Sequence, residues 1–129
     1  MQVEVFTFCD FAQDNGGKLL IAGSFDTINS KEFPAHHPLM SLAIKLRFSI
    51  EEGGKHKVHV TFNSLKKSAQ INPIDAEIGI DKFNFSTATV NLISILIGVK
   101  FEHEDTFFAT LEVDGKEVST TPLYIALIK

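Results

Sequence analysis

The sequence predicts an all-β fold: a single antiparallel β-sandwich of about eight strands. Three observations carry that expectation. Apolar residues recur at every second position in most segments, the period of a strand with one buried face. Clusters of Gly, Asn, Asp and Pro separate those segments. No stretch carries the three-to-four-residue apolar spacing of a convincing helix.

The first strand places Val3, Val5, Thr7, Cys9 and Phe11 on one face and Phe6 and Phe8 on the other. Asp14-Asn15-Gly16-Gly17 then turns the chain, and Lys18 to Asp26 returns as a second strand. Thr27 to Pro38 holds Pro34 and Pro38 and is expected to be a loop crossing between sheets. Met40, Leu42, Ile44, Leu46, Phe48 and Ile50 alternate with Ser41, Ala43, Lys45, Arg47 and Ser49, the clearest strand of all. Val58, Val60 and Phe62 repeat the pattern, with Lys57, His59 and Thr61 opposite. Between the two, Glu51-Glu52-Gly53-Gly54-Lys55 predicts a hairpin. Ser64 to Asn72 is the one place for a short helical turn. Ile74, Ala76, Ile78 and Ile80 form a further strand, as do Phe107, Ala109, Leu111 and Val113. Asp114-Gly115 opens a hairpin into Val118 to Ile128, where Pro122 demands an edge position or a bulge.

Phe85 to Phe101 is longer than a usual strand. Its centre is apolar at both parities: Val90 and Leu92 at one, Ile93, Ile95 and Ile97 at the other. A bulge near Leu92-Ile93, which would exchange the faces, is one reading. Two readings of the apolar excess stand beside it. Either this is a central strand covered on both sides, or Ile93, Ile95, Ile97 and Val99 are an exposed surface for self-association. Clean alternation elsewhere suits two facing sheets, immunoglobulin-like or jelly-roll-like in general form.

Composition narrows the function classes. The 129 residues fit one domain, spanning 1–129. The net charge of −4 argues against nonspecific nucleic-acid binding, which needs cations to neutralise phosphates. No run approaches the roughly 20 apolar residues that span a bilayer, so no membrane partner is expected. A single Cys forms no internal disulfide, and Met1 to Val5 carries no signal-peptide pattern; a cytoplasmic protein is expected. Twelve Phe stand against one Tyr and no Trp, a balance that favours cores over wet recognition surfaces. Phe48, Phe62 and Phe107 fall on core parities. Phe6, Phe8 and Phe108 fall opposite, where the Thr27 to Pro38 loop or another chain would have to cover them.

Each chemistry-bearing residue has a plain structural role to set against a functional one. Cys9 needs a nearby base or cation to become a nucleophile, and its parity points to the core. Asp10 shares a face with Phe6 and Phe8, so it is expected to be half-buried and held by backbone donors from the Thr27 to Pro38 loop. Asp10, Asp14, Asn15 and Asp26 flank one turn without the spacing of a calcium loop. His36 and His37 are adjacent in a Pro-bounded segment and lack the spacing that aims two imidazoles at one metal. His56 and His59 face opposite sides of a strand. Lys55, Lys57, Lys66 and Lys67, with those two histidines, form the one basic region, expected as a solvated guard on an edge strand. No nucleophile elbow, zincin helix, P-loop or Rossmann fingerprint is present. No catalytic residue, metal or cofactor is expected.

The opening Phe6-Thr7-Phe8-Cys9-Asp10-Phe11-Ala12-Gln13-Asp14-Asn15-Gly16-Gly17-Lys18-Leu19 carries a resemblance. With Gly23, Phe25-Asp26-Thr27-Ile28, Phe33-Pro34-Ala35-His36-His37-Pro38 and the closing Pro122-Leu123-Tyr124, it resembles an uncharacterised family of short bacterial proteins, a domain of unknown function. The resemblance spans most of the chain and is strongest over its first part. It implies a bacterial source and a small standalone protein, and no chemistry. The functional expectation is therefore a non-enzymatic binding or protein-interaction domain, its partner another protein or itself. The alternative is a small-molecule or ion-binding module where Cys9, Asp10, Asp26 and the His36-His37 loop converge. A hydrolase ranks third.

Overall fold

The alternating segments pair into two sheets around one shared core. The computed structural model describes residues 1–128. Its strands are β1 (Gln2–Asn15), β2 (Lys18–Phe25), β3 (Thr27–Ser30), β4 (Ala35–Ser49), β5 (Gly54–Ser64), β6 (Ile74–Ile80), β7 (Thr87–Phe101), β8 (Asp105–Val113) and β9 (Lys116–Leu127). One sheet has the order β2-β1-β4-β7 and the other β3-β9-β8-β5-β6. Every pairing is antiparallel except that of β3 with β9, which is parallel. The expectation of a purely antiparallel structure is corrected there: the cross-over from β2 delivers β3 alongside β9 in the same direction.

The dry face of β4, from Met40 to Phe48, meets Val60, Phe107, Leu111 and Leu123 of the other sheet. Full burial of each such side chain stabilises the fold by roughly 1.5–3 kcal/mol. Phe101 packs edge-on to Phe107 with ring centroids 5.5 Å apart, so each sheet contributes one ring to the contact.

The β1–β2 and β8–β9 hairpins form where Asp14-Asn15-Gly16-Gly17 and Asp114-Gly115 predict them, the first reversing at Gly16-Gly17. The hairpin expected at Glu51 to Lys55 does not. β4 pairs with β1 and β7, while β5 pairs with β6 and β8. A single 3₁₀ turn, Ile50–Glu52, carries the chain from one sheet to the other. The two strands face each other across the core, which satisfies their one-sided patterns as well as pairing would. That turn is also the only helical one among the described residues; the stretch from Ser64 to Asn72 forms none, Ser64 ending β5 and 65–72 being irregular. β5 is interior to its sheet, so the edge-guard expectation for its lysines fails. Three members of the basic region are instead partnered: Lys55 with Glu77 at 3.7 Å, His56 with Asp114, His59 with Asp75. Pro122 sits in β9 before β3 begins to pair at Tyr124, on a locally free margin that needs no N–H.

Three shifts of side-chain parity decide which residues face out. A register shift between Val3 and Val5 reverses the faces of β1. Phe6 and Phe8 therefore join the core, and Val5 and Cys9 turn to the outside of the sheet. Phe6 and Phe8 need no cover from a loop. The second and third shifts lie opposite each other in adjoining pairs of strands. The β1–β2 ladder skips Asp10 and Gly23, and the β4–β7 ladder skips Pro38 and Gly98. Gly23 and Gly98 have φ of +66° and +67°, the left-handed region that side chains avoid. The exchange of faces in β7 is thus at Gly98, not at Leu92-Ile93, because glycine takes the required backbone without the strain a side chain adds. No helix among the described residues is long and apolar enough to cross a membrane.

Candidate functional site

The outer face of the four-stranded sheet is the most unusual surface of the molecule. Pairing of β1 with β4 stops at Cys9–Ser41, although both strands continue. Beyond Asp10 the end of the β1–β2 hairpin folds over the outside of its own sheet. Ala12 and Ile21 on its underside pack with Cys9, Val5, Ala43 and Ile93 in a second, small core. The tip is fastened where Asn91 Nδ2 donates to the carbonyl of Gly17 at 3.2 Å. Small residues on the sheet, Ala43 and Ser41, leave room for this cover.

The cover stops short of the rest of β7. Ile95 is 60% exposed, Ile97 is 76% exposed, and Leu39, which pairs with Ile97, is 51% exposed. The apolar excess of this segment is therefore neither fully internal nor fully exposed. Ala88, Val90, Leu92 and Leu96 face the main core, Ile93 lies in the second core, and Ile95 and Ile97 face water. Val99, grouped with them by parity, packs on the main core because the shift at Gly98 precedes it. β7 is also the last strand of its sheet, so one side of its backbone meets no other described strand. Phe108 is a smaller exception on the other sheet: it lies on the outer face beside Pro122 and Asn63 at 36% exposure, and the Thr27 to Pro38 segment does not cover it.

The second predicted cluster separates. Cys9 is fully buried in the small core, its Sγ 3.7 Å from the carbonyl of Ser41. Burial, aided by the charge of Asp10, pushes its thiol up, away from a nucleophilic thiolate. Asp10 is exposed, not half-buried, and its carboxylate lies over Gly23, where a Cβ would collide with Oδ2. Asp26 is exposed and accepts from its neighbour Thr27 Oγ1 at 2.7 Å. His36 and His37 belong to β4, not to a loop. His36 is exposed, and His37 is partly buried against Phe25 at 5.9 Å between ring centroids. Only Asp10 and His37 share a space, a groove of about 340 Å³ floored by Phe25 and Ile28. The buried Nε2 of His37 has no hydrogen-bond partner. Among the described residues no three His, Cys, Asp or Glu gather as a metal site.

Two polar anchors went unread in the sequence. Asp105 is 6% exposed and accepts backbone N–H bonds from Lys66 at 2.8 Å, Ser68 at 2.9 Å and Thr106 at 2.8 Å. Burial works to raise its carboxyl, but the bonds from Ser68, Lys66 and Thr106 outweigh it and hold the group at about 2. His56 gives Nδ1–H to Asp114 Oδ2 and Nε2–H to the carbonyl of Glu52, both at 2.6 Å, and stacks on Phe48 at 4.5 Å. Both partners are acceptors, so the doubly protonated ring fits the site. Asp114 first, and the Glu52 carbonyl second, raise its pKa. The partners in both anchors are far apart in the chain, and no local motif announces them. They hold loops in place, and His56 and Asp114 also line a groove of about 370 Å³ with Met1, Glu52 and Lys116.

Comparison with known proteins is brief. The signature of a family of unknown function (DUF6941) matches residues 4–126. No curated protein and no solved structure matches the chain.

Proposed function

The chain belongs to this family of unknown function, and we propose that it is a non-enzymatic protein-interaction domain, a β-sandwich whose partner is another copy of itself. The observation that carries the reading is the uncovered strip of Leu39, Ile95 and Ile97 beside a hairpin that covers the rest of the same face. A fold that spends a hairpin end on closing half of an apolar face leaves the other half for something else to close. Isolated apolar residues need no such explanation, but these three are neighbours on two paired strands. The raised thiol of Cys9 and the dispersal of Asp26 and His36 from Asp10 and His37 support a role without catalysis.

Light scattering after size exclusion tests it. The wild type is expected to give a concentration-dependent dimer, and a Leu39→Ser, Ile97→Ser double variant a folded monomer. A wild type that stays monomeric up to high micromolar concentration would overturn the reading. A second reading rests on the partnerless Nε2 of His37: the groove it shares with Asp10 takes a small cationic ligand bearing an N–H. Its support would be an imidazole resonance of His37 that shifts on titration with methylammonium or imidazolium; an unmoved resonance would count against it.

A further inference from the structure

Resting on that self-association, we infer how it is built: two copies join edge to edge through β7, antiparallel and centred on Ile95, so that two four-stranded sheets continue as one of eight. Alternate residues of β7 turn N–H and C=O away from β4, and no described strand receives them. An open row of this kind is a template for another strand.

The four sheet margins differ sharply in how they are closed to strangers. β3 is four residues long. β6 is seven residues long and displays Asp75 and Glu77. β2 is eight residues long, starts with Lys18 and bends at Gly23. Short length, charge and bends are the ordinary guards of an edge. β7 has fifteen residues and no charged residue from Thr87 to Val99, and its one crease, at Gly98, leaves the eleven residues Thr87 to Ile97, about 36 Å, uninterrupted.

The occupant that fits is β7 itself. A strand pairing with its own copy meets equal length, and it suffers like-charge repulsion wherever its charges fall opposite one another. Here the lone charge of the strand is Lys100. About a centre at Ile95 the two Lys100 side chains stand ten residues apart, roughly 33 Å. A register displaced by one residue would set outward-facing residues of one copy against core-facing residues of the other and break the two-fold, and is excluded. With Ile95 opposite Ile95, Ile93 of each copy faces Ile97 of the other, and the ladder ends at the crease of Gly98. The tip of each hairpin cover, fastened at Asn91, then lies beside the other copy's uncovered Ile97. The two-fold arrangement is closed, so assembly ends at two.

Spin labels on the full-length protein test the geometry. Cys9 is fully buried, so a label added to native protein goes to an introduced surface cysteine. Ile95→Cys labels are expected within about 15 Å of each other, and Lys100→Cys labels at about 33 Å before linker length is added. Ile95→Lys is expected to stay folded, since the site is exposed, and to weaken dimerisation at least tenfold. Dimers whose Lys100 labels are nearer than their Ile95 labels would overturn edge pairing while leaving self-association intact. A protein that is monomeric throughout would overturn both.

Discussion

β6 and β7 follow one another in the chain and close the two sheets on the same side, yet they end those sheets in opposite ways. β6 buries Ile78 and Ile80 and turns Asp75 and Glu77 outward, where they meet His59 and Lys55 of β5. β7 is twice as long, apolar on both faces, and uncharged until Lys100. One margin is finished by its own sheet; the other is finished by nothing in the described chain. The contrast extends inward. The five-stranded sheet is anchored by carboxylates, Asp105 under one loop and Asp114 against His56. The four-stranded sheet has Arg47 with Glu4 on the outside and Lys100 with Glu102 at the end of β7, and otherwise relies on packing.

The largest effect should come from removing an anchor of the finished side. Asp105→Ala strands three backbone N–H groups and is expected to cost about 3 kcal/mol in urea unfolding. The same carboxyl sets the acid limit. Its folded pKa is depressed to about 2, so its contribution is whole above the ordinary 3.8 and lost as pH falls toward 2. Asp105→Asn should flatten the acid limb of a stability–pH profile. If it does not, the anchor is not what holds the 65–73 loop.

Next comes the crease of the unfinished sheet. Gly98→Ala places a side chain at φ +67° and should cost about 1 kcal/mol by thermal unfolding. It would also disturb the exchange of faces that hides Val99 while exposing Ile97. A smaller effect belongs to His56. Its pKa is raised in the folded state, so its stabilisation is full below pH 6.5 and lost as pH rises through the folded value. Melting temperatures across that range should fall less for His56→Ala than for the wild type. The smallest change in stability, within about 0.5 kcal/mol, should come from Asp75→Ser with Glu77→Ser on β6. That pair of changes removes the guard, and its informative readout is association: if β6 then begins to self-pair, charge is what kept it single.

The chain's local signals were legible and its distant ones were not. Gly16-Gly17 and Asp114-Gly115 dictate both a turn and its pairing, because a two-residue reversal leaves the flanking strands nowhere else to go. Glu51 to Lys55 dictates a reversal only, and the facing sheets claim the two strands instead. The alternation of Ile93, Ile95 and Ile97 was visible, whereas the place of Val99 depended on a glycine whose left-handed backbone has no signature of its own. The same holds for Cys9, whose face was decided by the register shift between Val3 and Val5. The anchoring roles of Asp105 and His56 were not legible because Ser68 and Asp114 lie 37 and 58 residues from them.

The folded-over hairpin end gives the protein a built-in reporter. Cys9 is sealed beneath Ala12 and Ile21, and the tip that keeps them there has one side-chain tether, from Asn91 to Gly17. A thiol reagent reaches the sulfur only when the hairpin lifts, so the labelling rate reads the opening equilibrium of that element alone. Asn91→Ala should speed labelling severalfold without a matching loss of global stability. In a dimer joined along β7, the same clock should run slower, since the partner's Ile97 comes to rest against the tip.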